Sequence, residues 1–421
     1  MQLDQRNRFF DQLIQLLDRR ARLSAQNLAQ PAVQIRRRHH EMTDLPIQPL
    51  VVWVRRIYSV DAHQDAQNLL LDGHQILVQR SAGEGSGFAD AEYAAAGAEL
   101  VDSAAEVFDG AEMIVKVKEP VPAEYALLHP EQVLFTYLHL AANAPLTQAL
   151  VRNQVQAVAY ETVQLDNGVL PLLTPMSEVA GRMSVQVGAH YLEKAHDGSG
   201  TLLAGIPGVP GAEVVVIGGG VVGTNAAQIA LGMGANVAIV DRSLERLRQL
   251  DTMLHGRVNT LASNSENVAA AVRRADLVVG AVLLPGAKAP KIVSEEMVAA
   301  MKPGSVIVDV AIDQGGCIAT ARPTTHSDPT YVVYDVVHYC VTNMPGAVPR
   351  TSTIGLSNAT LPYGLDLADY GLFRAVSRDP ELARGVNVIN GKVTHPGVAE
   401  ALGIDYTPFP DATVEVGVLS G

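Results

Sequence analysis

The stretch Val214–Gly223 constrains this chain more than any other. An apolar run, Val214-Val215-Val216-Ile217, passes directly into Gly218-Gly219-Gly220-Val221-Val222-Gly223, and a helix opens behind it at Thr224-Asn225-Ala226-Ala227. A buried strand, a Gly-x-Gly-x-x-Gly turn and a helix in that order form a dinucleotide cradle. Gly218 permits the tight turn, Gly220 lets backbone approach a pyrophosphate, and Gly223 lets helix and strand pack closely. The helix N-terminus adds free N–H groups and a favourable dipole for phosphates. The next strand, Asn236–Val240, ends in Asp241. A carboxylate there accepts hydrogen bonds from adenosine ribose hydroxyls and repels a 2′-phosphate, which favours NAD over NADP. Arg242 beside it keeps NADP open, because a guanidinium pairs with that phosphate.

The rest of the chain repeats the same alternation. Gln75–Gln79, Met113–Val117, Leu134–Leu138 and Ala157–Tyr160 read as strands before the glycine turn; Asp276–Val282, Ser305–Val310 and Tyr331–Tyr334 read as strands after it. Strands alternating with helices predict an α/β fold with mostly parallel sheets and ligands at the strands' carboxyl ends. Lys118, His139 and Asp313 fall at such ends. Singly, each has a plainer reading: a surface lysine paired with Glu119, a satisfied buried histidine, a loop or capping aspartate. Their shared position beside a dinucleotide fingerprint favours chemistry.

Composition closes off other classes. The 421 residues carry a net charge of −13, with no basic footprint for nucleic acid. No apolar run is long enough to span a bilayer, and no signal-peptide pattern opens the sequence. Two cysteines, Cys317 and Cys340, leave no disulfide scaffold or cysteine zinc site and fit a reducing, cytoplasmic setting. No metal site is expected.

Several further segments carry a family resemblance. They are Lys116-Val117-Lys118-Glu119-Pro120, Tyr137-Leu138-His139-Leu140-Ala141-Ala142, Tyr160-Glu161-Thr162-Val163, Leu172 through Arg182, Asp309 through Cys317, and Asn343-Met344-Pro345-Gly346. Over roughly residues 64–415 the chain resembles the alanine dehydrogenase/pyridine nucleotide transhydrogenase family, on its alanine dehydrogenase side. The transhydrogenase subunit looks different around the histidine and the Met-Ser segment. The resemblance implies two Rossmann-like domains, with an NAD domain (172–349) inserted in a discontinuous substrate domain (61–171 and 350–421), and a homohexamer. It implies reversible oxidative deamination of L-alanine to pyruvate and ammonia, with His139 and Asp313 catalytic and Lys118 contacting substrate. Implied cofactor contacts are Ser177, Gly218, Gly220, Val222, Gly223, Asp241, Arg246, Ser263, Val282, Leu283, Val310, Asn343 and Met344. His326 and His338 are taken as structural.

The first sixty residues depart from this pattern. They hold ten arginines, eight glutamines, no lysine and none of the 36 glycines, and carry +5 against −18 for the remainder. The family opens with Gly-x-Pro-x-Glu-x-x-x-x-Glu-x-Arg-Val, whose arginine holds the substrate carboxylate; here Tyr58 stands at that position, with Arg55 and Arg56 upstream. Residues 1–60 are therefore read as an anomalous leader, and one expectation is an out-of-frame translation of a product beginning near Asp44. Ser59-Val60-Asp61-Ala62 can be encoded so that a shift of one base reads Ala-Leu-Thr-Pro, although no such shift of Ile57-Tyr58 restores the arginine. The competing expectation is a true leader whose apolar Val51–Val54 replaces the missing strand. The matching alternative in function is an NAD-binding homologue impaired in turnover.

Overall fold

The computed structural model describes residues 52–54, 74–282 and 289–413. Its first strands are β1 (Val52–Val54), β2 (Leu77–Gln79), β3 (Glu99–Val101), β4 (Met113–Val115), β5 (Val133–Thr136) and β6 (Gln156–Ala159). The middle of the chain supplies β7 (Glu213–Ile217), β8 (Asn236–Asp241), β9 (Asn259–Ala262), β10 (Leu277–Gly280), β11 (Val306–Asp309), β12 (Thr330–Val333) and β13 (Val336–Tyr339). Near the end come β14 (Val386–Ile389) and β15 (Lys392–Val393). One sheet runs β15-β14-β6-β5-β4-β1-β2-β3, and the other runs β12-β13-β11-β10-β7-β8-β9. The first sheet thus takes strands from both sides of the second, the inserted α/β arrangement that the resemblance implies.

The second sheet is parallel except for β12, and its order reverses between β7 and β10. That reversal opens a crevice at the carboxyl ends of the strands, where the glycine turn lies. Its central strands β7, β10 and β11 are buried on both faces because helices cover both. Val214 and Val216 pack toward helices Thr174–Tyr191 and Val221–Gly232, while Val215 and Ile217 pack toward helix Ser265–Arg274. In the first sheet, Phe135 faces the long helical segment Pro349–Arg378 and Leu134 faces helix Ala144–Arg152. Among the described residues no helix is long and apolar enough to cross a membrane.

Three differences from the sequence reading have physical causes. The helix after β7 begins at Val221 with Gly220 as its N-cap, so it starts inside the glycine turn rather than at Thr224. Tyr331–Tyr334 is not the strand that leads to Asn343. It forms the edge strand β12 and turns at Tyr334 and Asp335, both with positive φ (53° and 56°), into β13, which pairs with β11 and exits toward Asn343. Two successive left-handed residues are the signature of a tight hairpin turn.

The third difference concerns the leader. Val52–Val54 does enter the sheet, but antiparallel to both β2 and β4, whereas β2–β3, β4–β5 and β5–β6 are parallel. Val52 pairs with Val78 and Val115, and Val54 pairs with Met113. β1 therefore starts at the carboxyl edge and ends at the amino edge. Arg55, Arg56 and Tyr58 lie outside the described residues.

Candidate active site

Two strand exits bring Lys118 and His139 to one edge of the first sheet. Tyr137 N–H donates to the Val117 carbonyl at 3.3 Å, and Thr136 Oγ1 donates to the Lys118 carbonyl at 3.1 Å, so the β4–β5 ladder continues past its regular end. His139 then adopts a left-handed backbone (φ 49°), uncommon for a residue with a Cβ. The Glu161 carboxylate holds it there, accepting the N–H groups of His139 at 2.6 Å and Leu138 at 3.1 Å. The Tyr137 ring stacks 5.9 Å from the imidazole, and its hydroxyl donates to the Leu172 carbonyl at 2.6 Å, just ahead of helix Thr174–Tyr191.

His139 is exposed at this edge, with Nδ1 3.3 Å from Glu119 Oε2. Partial desolvation lowers its pKa, but the Glu119 hydrogen bond and the charges of Glu161 and Glu119 outweigh that, and Lys118 opposes them; the net shift is upward. For Glu119, desolvation pushes up while the bond to His139, a backbone N–H and the charges of His139 and Lys118 pull down; the net shift is downward. Glu119 thus serves His139 and forms no ion pair with Lys118. Among the described residues His139 Nε2 has no hydrogen-bond partner, which leaves that nitrogen for proton transfer.

The second sheet presents a dinucleotide cradle. A Cβ on Gly218 (φ 102°) would stand 2.7 Å from the Ala281 carbonyl, and one on Gly223 only 1.8 Å from the Gly218 carbonyl. Both positions require glycine for the protein's own packing. A Cβ on Gly220 would meet nothing within 4 Å, so its bare backbone serves no neighbour of its own and suits a pyrophosphate at the helix N-terminus. Val222 lies in the first helical turn. Asp241 Oδ2 accepts Gly219 N–H at 2.8 Å and Oδ1 accepts Ser243 N–H at 2.8 Å, so the expected ribose ligand also pins the turn. Ser263 N–H donates to the Asp241 carbonyl at 2.9 Å. Arg246 is engaged with the turn, its Nε donating to the Gly219 carbonyl at 2.6 Å and Nη2 to Thr224 Oγ1 at 2.8 Å.

Two more strand exits complete this edge. Asp309, wholly buried, caps the short helical turn Val310–Gln314 by accepting Ala311 N–H at 3.1 Å and holds the returning chain through Ile318 N–H at 3.1 Å. Asp313 itself caps nothing. Its Oδ1 accepts the N–H of Asn343, a left-handed residue, at 3.1 Å, and so joins the β11 and β13 exits. Val310 and Val282 are half-buried, Met344 is buried, and Ser177 occupies the first turn of helix Thr174–Tyr191. Leu283 lies outside the described residues. The structure brings Lys118 and His139 together, and separately Asp313 and Asn343; among the described residues no hydrogen bond joins the two groups.

Sequence reasoning assigned no role to Glu161 or Asp309 and offered Glu119 only as a partner of Lys118; His326, taken as structural, has Nε2 3.3 Å from the Asn343 carbonyl. Glu119 and Glu161 sit inside quoted motifs, but only folding brings them within reach of His139. His338 is structural as expected, buried and bonded to the Val336 carbonyl and Thr320. Cys317 and Cys340 are both free and buried.

Known proteins match this chain over the same regions. Alanine dehydrogenase/PNT, N-terminal domain, matches residues 62–180, and the corresponding C-terminal domain matches residues 184–396. The chain is 58% identical over 347 residues to an alanine dehydrogenase of Methanococcus maripaludis, covering 82% of this chain and 93% of that one. It is 56% identical over 341 residues to an alanine dehydrogenase of Halomonas elongata, with coverages of 81% and 92%. A solved L-alanine dehydrogenase structure aligns with TM-score 0.78 at 52% identity, covering 81% of this chain and 94% of that one. A transhydrogenase from Sinorhizobium meliloti shares the fold, with TM-score 0.68 at 22% identity and coverages of 82% and 98%.

Two outcomes are expected from this geometry. Gly220→Ala should leave the melting temperature unchanged while weakening dinucleotide binding, whereas Gly223→Ala should lower both; equal loss of stability in the two variants would contradict the assignment. An NMR titration of His139 should begin above the ordinary histidine value and move down in Glu119→Gln, and an unmoved titration would remove Glu119 from the imidazole's environment.

Proposed function

This chain belongs to the alanine dehydrogenase/PNT family, and we propose that it is an NAD-dependent L-alanine dehydrogenase whose substrate is handled by Lys118, His139 and Asp313. The single observation that carries the reading is His139 at a strand exit, clamped by Glu161 and polarised by Glu119. Supporting it is a glycine turn whose middle glycine has no packing reason of its own.

The chemistry follows from these groups. A dinucleotide whose pyrophosphate sits at the glycine turn would supply a nicotinamide able to accept the hydride leaving Cα of alanine. The Lys118 ammonium pairs with the substrate carboxylate or polarises the pyruvate carbonyl oxygen. His139 takes a proton from the water that adds to the imine carbon and returns one as the carbinolamine collapses. The raised pKa suits a group that must exchange protons in both directions near neutrality. Asp313 orients the amine or the attacking water. The reaction runs reversibly, since each proton transfer is available backwards.

Residues 61–171 and 350–421 are assigned to the substrate domain and 172–349 to the nucleotide domain, supported by the membership of the two sheets. The family relation supports a homohexamer, and the two free, buried cysteines suit the cytoplasm. One observation favours a second reading, a homologue with impaired turnover. The position between β2 and β4 is filled by the antiparallel β1, and the family's Glu-x-Arg motif is missing from the sequence. Loss of a bidentate carboxylate partner weakens alanine binding while leaving the dinucleotide cradle untouched.

Purified protein given L-alanine and NAD should produce NADH, measured by its absorbance. Tight NAD binding without NADH formation would select the impaired reading. NAD should bind much more tightly than NADP, and Asp241→Ala should narrow that gap while weakening NAD through the lost Gly219 contact; equal affinities in the unaltered protein would hand control to Arg242. His139→Ala should reduce turnover by roughly 10²–10⁴-fold with NAD affinity retained. Unaltered turnover would exclude His139 from the reaction.

A further inference from the structure

A second cluster of donor side chains lies where helix Thr174–Tyr191 ends. His190 is in its last turn, Glu193 follows, and His196 closes the short turn Lys194–His196. His190 Nδ1 lies 3.9 Å from Glu193 Oε1, and His196 Nε2 lies 4.0 Å from Glu193 Oε2. One donor atom from each of the three falls within 4.8 Å of the other two. We propose that His190, Glu193 and His196 bind one divalent first-row cation of the zinc type.

The separations argue for a cation between these groups. Both exceed hydrogen-bonding range, and among the described residues none of the three side chains hydrogen-bonds to protein. The nearby Lys194 ammonium donates to the Gly198 carbonyl and leaves Glu193 uncommitted. Donors about 2.0–2.2 Å from a tetrahedral zinc stand roughly 3.3–3.5 Å apart, so three donors that lie within 4.8 Å of one another close on one ion by side-chain rotation. The two imidazole rings lie only 4.0 Å apart between centroids. Two imidazoles and one carboxylate form a donor set suited to borderline metals, with remaining positions open to water.

The backbone holds the donors in place before any ion arrives. Glu193 N–H donates to the His190 carbonyl, and the Glu193 carbonyl accepts the N–H groups of His196 and Gly198. A Cβ on Gly198 would stand 2.3 Å from the Tyr191 carbonyl, so the turn closes tightly. The Tyr191 ring meets His190 at 5.1 Å and His196 at 5.7 Å, edge-on to both, and is backed by Tyr339 at 5.6 Å. Ser199 N–H then donates to the Gly304 carbonyl, ahead of the amino end of β11. An ion here fastens the end of the helix to the turn that follows it, and that turn leads through Ser199 to the amino edge of the second sheet. Its effect is on stability, and it touches neither substrate nor dinucleotide.

Full-length protein stripped with a chelator should bind one equivalent of cobalt(II), seen in its visible spectrum and displaced by zinc(II). Affinity should fall at least tenfold in His190→Ala and in His196→Ala, and zinc should raise the melting temperature of the unaltered protein but of neither variant. NAD affinity and turnover should be unchanged in both. Absence of saturable binding would overturn the proposal. So would binding that survives both substitutions, which would point instead to His39 and His40 of the leader.

Discussion

The close passage of the Gly223 position over the Gly218 carbonyl sets the geometry of the second sheet's working edge. A Cβ there would lie 1.8 Å from that oxygen, so the helix Val221–Gly232 can sit against β7 only with glycine at this point. The same tolerance is used again one layer out. A Cβ on Gly181 would stand 2.3 Å from the Val222 carbonyl, and one on Gly188 would meet the Leu277 side chain at 2.6 Å. Helix Thr174–Tyr191 is thereby laid close along the first turn of helix Val221–Gly232 and the start of β10. Its opposite end follows Leu172, whose carbonyl is held by Tyr137 beside His139. Backbone approaches that only glycine allows thus connect the glycine turn to the edge that carries Lys118 and His139.

Carboxylates organise the surroundings of His139 on that edge. Glu161 spends its oxygens on two backbone N–H groups and keeps His139 in a conformation that an isolated residue rarely adopts. Glu119 faces the imidazole and, with Glu161, raises its proton affinity against the opposing Lys118 charge. On the other sheet Asp309 plays the corresponding part. It fastens both ends of the loop that carries Asp313, and burial raises its own pKa while the N–H groups of Ile318 and Ala311, the Cys317 thiol and the Lys291 charge pull it back. In each half an acid tied to backbone holds the residue that would meet substrate.

Much of this was legible from residue order. The turn Gly218–Gly223 and its flanking strands were, because apolar runs, glycine spacing and the terminal Asp241 are all local. Lys118 and His139 at neighbouring strand exits were also legible, since parallel order follows from alternation. The β12–β13 hairpin was not. Tyr334 and Asp335 lack the glycine or asparagine that usually marks two positive φ angles, so only the first of the two strands was read. The direction of β1 was equally hidden, because three apolar residues carry no polarity of pairing. Glu119 and Glu161 were visible as motif members but not as partners of His139, a relation made only by the β4–β5–β6 register.

The proposed function turns on hydride passing from Cα of alanine to the nicotinamide of a dinucleotide whose pyrophosphate sits at the glycine turn. Incubation of the protein with NAD and L-alanine deuterated at Cα, followed by mass spectrometry of the reduced cofactor, tests it directly. The account predicts one deuterium in the NADH formed and a matching amount of unlabelled ammonia. NADH that carries no label, or NAD that remains oxidised while bound, would contradict it.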